Sequence, residues 1–304
     1  MPKKRRVNNI RPFSLSTSCY IWLSTLCIFL AALSTSQAQI TTNTALQIAE
    51  GQTVVRFQGR YLNLETGNAE LDLWVTPLVT AYGVNSDFTI FGLIPFQFRN
   101  LETPTFNEST SGVGDLRLFA RHYLYSQNKT GSMIRFAALG GLEFPTGETD
   151  ITANENLLPR PLQPGMGSWN PFGGFVFTRH TLAWHFDASA IYTRNTEDNN
   201  FKSGDELLLS ISNTYRVIPW EMKMTKGFFF GLFENNIRWS GNNQIDDDTI
   251  QKTGNFSWSI LPGLQYIRKK LTVEAGVEIP VVEKSETTAF QRDIMVVISS
   301  RINF

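Results

Sequence analysis

The sequence contains little cysteine, and both cysteines lie close together. Cys19 and Cys27 fall within one apolar stretch near the N-terminus. Because we predict that this stretch is removed on export, the mature chain carries no thiol. Structural disulfides, cysteine metal ligands and cysteine nucleophiles are therefore excluded together.

Long hydrophobic runs are also missing once the N-terminal stretch is passed. After residue 39 no segment approaches the roughly 18 apolar residues of a transmembrane helix. A chain of this kind can cross a membrane only as a closed β-barrel, because in lipid every backbone polar group needs an internal partner. The chain is nevertheless rich in rings, with 12% aromatic residues including 23 Phe. Such a composition is typical of strands in which apolar and polar positions alternate.

Acidic residues are absent from the first 38 positions, which instead hold five basic residues, an apolar run from Cys19 to Leu33 and the small-residue site Ser36-Gln37-Ala38. We predict that residues 1–38 are a signal peptide cleaved before Gln39. The alternatives are a nuclear localisation sequence and an uncleaved anchor, but the apolar run is shorter than the roughly 20 residues needed to span a bilayer. Cleavage leaves 22 basic and 27 acidic residues, so no electrostatic attraction to nucleic acid is expected.

The end of the chain alternates with a period of two. Ile294, Val296, Ile298 and Ile302 occupy alternate positions, and the last residue is Phe304. A strand that ends on Phe resembles the C-terminal signal by which outer-membrane barrels are recognised for assembly. We therefore predict that Phe304 is an assembly signal read by the barrel-assembly machinery.

The same alternation indicates twelve strands, at 53–62, 70–84, 87–99, 112–125, 132–146, 167–179, 182–195, 204–218, 227–240, 256–266, 271–281 and 290–304. Short turns alternate with longer polar loops, for example 100–111 and 147–166. We predict an all-β fold: a transmembrane antiparallel up-and-down β-barrel of about 12 strands over residues 53–304, preceded by the cleaved signal peptide. Residues 39–52 are assigned to a short periplasmic N-terminal segment, with folding into the barrel mouth as the alternative.

If the apolar positions face lipid, the opposite positions line the barrel interior. The interior set holds eight basic and eight acidic side chains, which predicts cross-strand ion pairs that fill or narrow the lumen. Two interpretations remain open: a narrow passage for a small solute, or a charged network that fills the barrel and passes nothing. The candidate lumen-lining residues are Arg56, Arg60, Asp115, Arg117, Arg121, Arg135, Glu143, Asp187, Glu206, Arg216, Glu234, Arg238, Glu274, Glu278, Asp293 and Arg301.

Catalytic, cofactor and metal sites are not expected. His185 and Asp187 share one strand face and can form a hydrogen bond, but no nucleophile accompanies them. The acidic run at 246–248 lacks the alternate ligand spacing of a calcium loop. We therefore predict that the chain is not an enzyme and uses no cofactor or metal.

Three motifs resemble a known family. They are Ser-Gly-Val-Gly-Asp-Leu-Arg-Leu at 111–118, Gly-Leu-Glu-Phe-Pro-Thr-Gly at 141–147 and Gly-Ser-Trp-Asn-Pro-Phe-Gly-Gly at 167–174. Their order resembles the family called "MetA-pathway of phenol degradation" over most of the mature chain. The resemblance implies an outer-membrane barrel with a role in the uptake of aromatic or other hydrophobic molecules. It also implies that Gly112, Gly114 and Asp115 lie at the external end of the fourth strand, beside residues 145–147.

The functional hypothesis is an outer-membrane channel or transporter for small solutes, hydrophobic or aromatic ones included. The alternative is a non-transporting structural or adhesive barrel whose long external loops bind partners. Expected partners are the lipid and lipopolysaccharide of a Gram-negative outer membrane, the barrel-assembly machinery and a small-molecule solute.

Overall fold

The computed structural model describes residues 40–304 apart from 47, 154, 219–226, 247, 252 and 286–290. The predicted signal peptide and the connection between the strands predicted at 204–218 and 227–240 lie outside these residues. Within them, no helix is both long and apolar enough to span a bilayer.

Twelve antiparallel strands of the described chain form one closed barrel. Each strand pairs with its neighbours in sequence, and the ring closes where the first strand pairs with the last, Arg56 opposite Arg301. The predicted up-and-down barrel is confirmed. The strands are β1 Thr53–Thr66, β2 Ala69–Gly83, β3 Phe88–Thr103, β4 in two parts Phe106–Val113 and Leu116–Lys129, β5 Ser132–Phe144, β6 Asn170–Thr181, β7 Trp184–Thr193, β8 Glu206–Ile218, β9 Phe228–Ser240, β10 Asn255–Arg268, β11 Leu271–Ser285 and β12 Gln291–Asn303.

The outer surface of the barrel is an apolar band. In β12 Ile298 is 59% exposed while the adjacent Val297 is fully buried, so the period of two separates the two faces as predicted. Large aromatic side chains are exposed near the strand ends, with Trp74 and Trp239 towards the long loops and Tyr215 towards the short turns. An apolar band with aromatic residues at both borders is the surface that a barrel presents to lipid.

The segment 100–111 is not the loop that its polarity predicts. β3 continues to Thr103, and β4 begins at Phe106 after a two-residue turn. Polar residues are compatible with a strand here because the tops of β3 and β4 rise beyond the apolar band, where neither face needs to meet lipid. Composition alone therefore cannot separate this raised hairpin from a loop.

β4 is interrupted at Gly114 and Asp115. A Cβ atom at Gly114 would lie 2.2 Å from the Gln97 amide nitrogen and 3.0 Å from the Pro95 ring, so a larger residue would require the Gln97 side chain to move. The first part of β4 pairs with the outer half of β3, and the second part pairs with its inner half. The interruption thus leaves a local gap in the ladder between β3 and β4.

The long loop between β5 and β6 folds over the top of the barrel. It contains a short 3-10 helix, Arg160–Leu162, and its residues Leu158 and Leu162 pack against Leu71 of β2 and Leu101 of β3. Further round the rim, the loops after β7 and β9 pair with each other in a small four-stranded sheet. These contacts position folded loops above the lumen.

Candidate functional site

Residues 40–46, here called the luminal segment, enter the barrel. They belong to the stretch 39–52 that was assigned to the periplasm, with folding into the barrel mouth as the alternative. Glu234 of β9 is fully buried and accepts hydrogen bonds from the backbone N–H of Ile40 at 2.8 Å and of Thr41 at 2.9 Å. Arg56 and Gln58 of β1 donate to the Ile40 carbonyl at 2.7 and 2.9 Å.

The other end of the luminal segment is bound to β4. The guanidinium of Arg121 donates to the carbonyl oxygens of Thr44 and Leu46, and the Tyr123 hydroxyl donates to Leu46 at 2.7 Å. Because β9 and β4 lie on different sides of the barrel, the segment crosses the lumen. Its backbone, which forms no ladder with the wall, is satisfied by wall side chains instead.

Apolar contacts support both ends of the luminal segment. Ile40 is fully buried in a cluster with Leu261 and Val297, and Ala45 is fully buried in a second cluster with Val176. Burial of an isoleucine side chain contributes about 1.5–3 kcal/mol. The segment is therefore packed as well as hydrogen-bonded.

A buried polar cluster holds the middle of the wall against the segment. The Thr178 hydroxyl donates to Asp187 and accepts the N–H of Ala45 at 2.8 Å. The second oxygen of Asp187 lies 2.8 Å from His180 Nε2, and the ring of His185 stacks on His180 at 4.3 Å. The sequence suggested His185 as a possible hydrogen-bond partner of Asp187, and the neighbouring strand supplies His180 as one. The cluster orients Thr178 towards the segment.

A cavity of about 810 Å³ lies beside the luminal segment. Its lining begins at Asn195 and Asn243 in the outer loops and reaches Val54 and Ala81 near the opposite end of the barrel. Residues Thr41 to Thr44 of the segment form part of its wall. The cavity therefore follows the barrel axis past the segment.

The sixteen candidate residues fall into three groups. Nine line the cavity: Arg56, Arg60, Arg117, Arg121, Glu143, Glu206, Arg238, Glu278 and Arg301. Five are buried in contacts with the wall, the loops or the luminal segment: Asp115, Arg135, Asp187, Glu234 and Glu274. The remaining two lie elsewhere. Arg216 lies beside the Phe228 ring, and Asp293 lies at a small recess next to Glu278.

The cavity lining is not balanced in charge. Seven arginines face it, Arg292 in addition to six candidates, against three glutamates. Cross-strand ion pairs are present as predicted, between Arg117 and Glu143 at 2.9 Å and between Arg238 and Glu206 at 2.7 Å. Two of the acidic candidates do not face the cavity: Glu234 binds the luminal segment, and Asp187 binds Thr178, which contacts the segment. Arginine is therefore in excess in the lining.

One wall of the cavity is apolar, and sequence reasoning missed it. The inward side chains of β2 and β3 that line it are Leu73, Val75, Pro77, Val79, Ala81, Phe91 and Leu93. The available signals were the lack of any charged candidate on β2 and β3 and the apolar residues at alternate positions of β2, from Leu71 to Ala81. The charged positions alone do not reveal this apolar wall.

The described residues include no group of three or more His, Cys, Asp or Glu side chains arranged to hold a metal ion.

Comparison with known families gives a match over residues 46–283 to the family described as "Putative MetA-pathway of phenol degradation". The chain belongs to this family. The match covers most of the barrel together with Leu46 of the luminal segment. Localisation in the Gram-negative outer membrane follows from family membership and the lipid-facing band.

A solved outer-membrane channel shares the fold of this family member. The COG4313 outer membrane channel from Pseudomonas putida F1 has a TM-score of 0.65 at 15% identity, covering 88% of this chain and all of that one. The beta domain of the Bordetella autotransporter BrkA has a TM-score of 0.48 at 8% identity, covering 84% of this chain and 100% of that chain. A sequence comparison with curated proteins gives no match.

Proposed function

We propose that this protein is an outer-membrane channel through which small, largely apolar solutes, aromatic ones included, move along the luminal cavity. The observation that carries the proposal is the cavity itself, which follows the barrel axis and has one apolar wall. Its volume falls within the roughly 300–1,000 Å³ of sites that hold small molecules. A barrel filled by a charged network would not leave such a space.

The luminal segment narrows this path. Threonines 41, 42 and 44 line the cavity, and the segment is fixed by side chains of β9, β1 and β4. A solute that moves along β2 and β3 passes the segment on its polar side. We infer that the segment limits the size of solutes and the leakage of ions while the apolar wall provides the surface along which solutes move.

Two further findings support uptake over an adhesive role. The family description names phenol degradation, and the fold neighbour from P. putida F1 is an outer membrane channel. In addition, the long loop between β5 and β6 packs inward on Leu71 and Leu101 instead of projecting as a binding surface. We further propose that the protein performs no catalysis.

Uptake by intact cells tests the proposal. A Gram-negative host that expresses the protein should accumulate labelled toluene and 4-ethylphenol faster than the same host with an empty vector, and should gain little for a disaccharide. A double variant, Phe91→Asn and Leu93→Asn, places amides in the apolar wall and should lower this uptake at equal amounts of folded protein. Equal uptake of the aromatic probes with and without the protein would overturn the proposal.

A further inference from the structure

We propose that the cavity selects amphipathic solutes with a carboxylate head group, and that Arg60 is the residue that binds this group. The inference rests on the proposed channel function and narrows its substrate class. It is carried by the position of Arg60 in the lining, by the hydrogen bonds that orient its guanidinium and by the chemistry of the two walls that meet there.

The guanidinium of Arg60 is oriented by a hydrogen bond at its Nε edge. Its Nε donates to the Gln58 side-chain oxygen at 2.7 Å, and the Gln58 nitrogen donates to the Ile40 carbonyl at 2.9 Å. Because the Ile40 carbonyl accepts from the nitrogen of this amide, the amide oxygen is directed towards Arg60. In the described part of the chain the two Nη groups have no hydrogen-bond partner, so a planar pair of donors is preoriented for a bidentate anion.

Several other arginines of the lining are already engaged. Arg117 and Arg238 each pair with a glutamate, and Arg121 donates to carbonyls of the luminal segment. No ion pair of Arg60 occurs among the residues that the structure describes. Glu278 shares the cavity with Arg60, but its carboxylate accepts a hydrogen bond from Ser259. Arg60 therefore has donors to spare for a solute.

Arg60 also lies at the border between the two walls. Its cross-strand neighbour on β2 is Val75, a member of the apolar wall, whereas Arg238 and Glu278 on the charged side face the same cavity. A molecule with its ring or chain against β2 and β3 would place a head group beside Arg60. A carboxylate suits this position because arginine outnumbers acid in the lining.

Block of ion current through single channels in planar bilayers measures occupancy of the cavity. The probes are 4-propylbenzoate, 4-propylbenzyl alcohol and 4-propylbenzylamine, which share the apolar body and differ in charge. The benzoate should half-block the native channel at a concentration about tenfold lower than the other two, which corresponds to one charge-assisted hydrogen bond. Arg60→Gln should abolish this preference, and Arg60→Lys should restore only part of it because the fork is lost.

Arg99 provides the matched control. It sits on β3, donates its Nε to Gln97 at 2.9 Å as Arg60 does to Gln58, but donates an Nη to the Pro161 carbonyl at 2.8 Å and does not line the cavity. Arg99→Gln should keep the benzoate preference. Equal block by all three probes, or a preference that survives Arg60→Gln, would overturn the carboxylate assignment alone. Block by none of the probes would instead contradict the proposed channel function.

Discussion

Glu234 holds the luminal segment through the backbone N–H groups of Ile40 and Thr41. Ile40 is fully buried, so removing the carboxylate leaves its N–H without an acceptor in a buried site. Each such orphaned group costs roughly 1–3 kcal/mol. We predict that Glu234→Ala releases this end of the segment and raises the single-channel ion conductance. The measurement is conductance of the purified protein in planar bilayers.

The control for this prediction is Glu65→Ala, which removes an exposed carboxylate near the outer end of β1. Its conductance should equal that of the native protein. If Glu234→Ala folds normally and conducts like the native protein, the carboxylate does not determine the position of the segment.

Asp115 fastens the long loop to the interruption in β4. It is 6% exposed, and its two oxygens accept the N–H of Gly147 at 2.9 Å and of Met166 at 2.6 Å. The two motif pieces thus lie side by side, as the family resemblance implied. Asp115→Asn puts an amide donor where an acceptor is needed, so we predict that the loop between β5 and β6 loosens. Proteolysis of intact cells should cleave it faster in the variant, while Asp87→Asn, which alters an exposed turn, should leave the rate unchanged.

At the scale of elements, the luminal segment is the part that moves in our account of the Glu234 variant. Residues 39–304 contain no cysteine, so after the predicted cleavage one introduced pair can be cross-linked without competition. The Asn236 Nδ2 donates to the Thr41 Oγ1 at 3.0 Å, so these two side chains are in contact. In a triple variant, Glu234→Ala with Thr41→Cys and Asn236→Cys, oxidation should return the conductance to the native value and reduction should raise it again. Each single cysteine added to Glu234→Ala should show no redox response.

The strands were predictable, and the luminal segment was not, for a physical reason. A strand in lipid must separate apolar from polar side chains with a period of two, and that pattern is visible locally in β10, β11 and β12. The segment at 40–46 has no period because side chains far away satisfy its backbone. Its partner Glu234 is 194 positions from Ile40, and a single sequence does not show which distant residues meet.

At the scale of the whole molecule, lumen chemistry was predicted only in part. Ionised groups are costly on a lipid-facing surface, which is why charged positions were assigned to the interior. Arg60 and Arg238 are two of these candidates, and both line the cavity. The apolar wall was missed because the rule that apolar positions face lipid does not hold for β2. Its alternate apolar positions from Leu73 to Ala81 line the cavity, while Thr76 and Thr80 are exposed on the outer face. That the lumen has one charged and one apolar wall is visible only once the strand order is known. In that order β1, which carries Arg56 and Arg60, lies between β12 and the apolar β2.

Phe304 takes part in closing the barrel through its backbone, whereas its predicted role as an assembly signal concerns its ring. The backbone N–H of Phe304 donates to the Thr53 carbonyl at 2.8 Å across the seam, and this bond survives any substitution other than proline. The ring itself is 40% exposed and contributes little to packing. We predict that Phe304→Ala lowers the amount of folded protein in the outer membrane of cells, because the assembly machinery reads the ring.

The same variant, refolded in detergent without that machinery, should have a free energy of unfolding within about 0.5 kcal/mol of the native value. Val297→Ala supplies the opposite behaviour, since Val297 is fully buried in the cluster around Ile40 and its truncation should destabilise the refolded barrel. Heat-modified mobility on gels measures the folded fraction in both settings. If Phe304→Ala assembles in cells as well as the native chain, or loses stability in detergent as Val297→Ala does, the terminal ring is not an assembly signal.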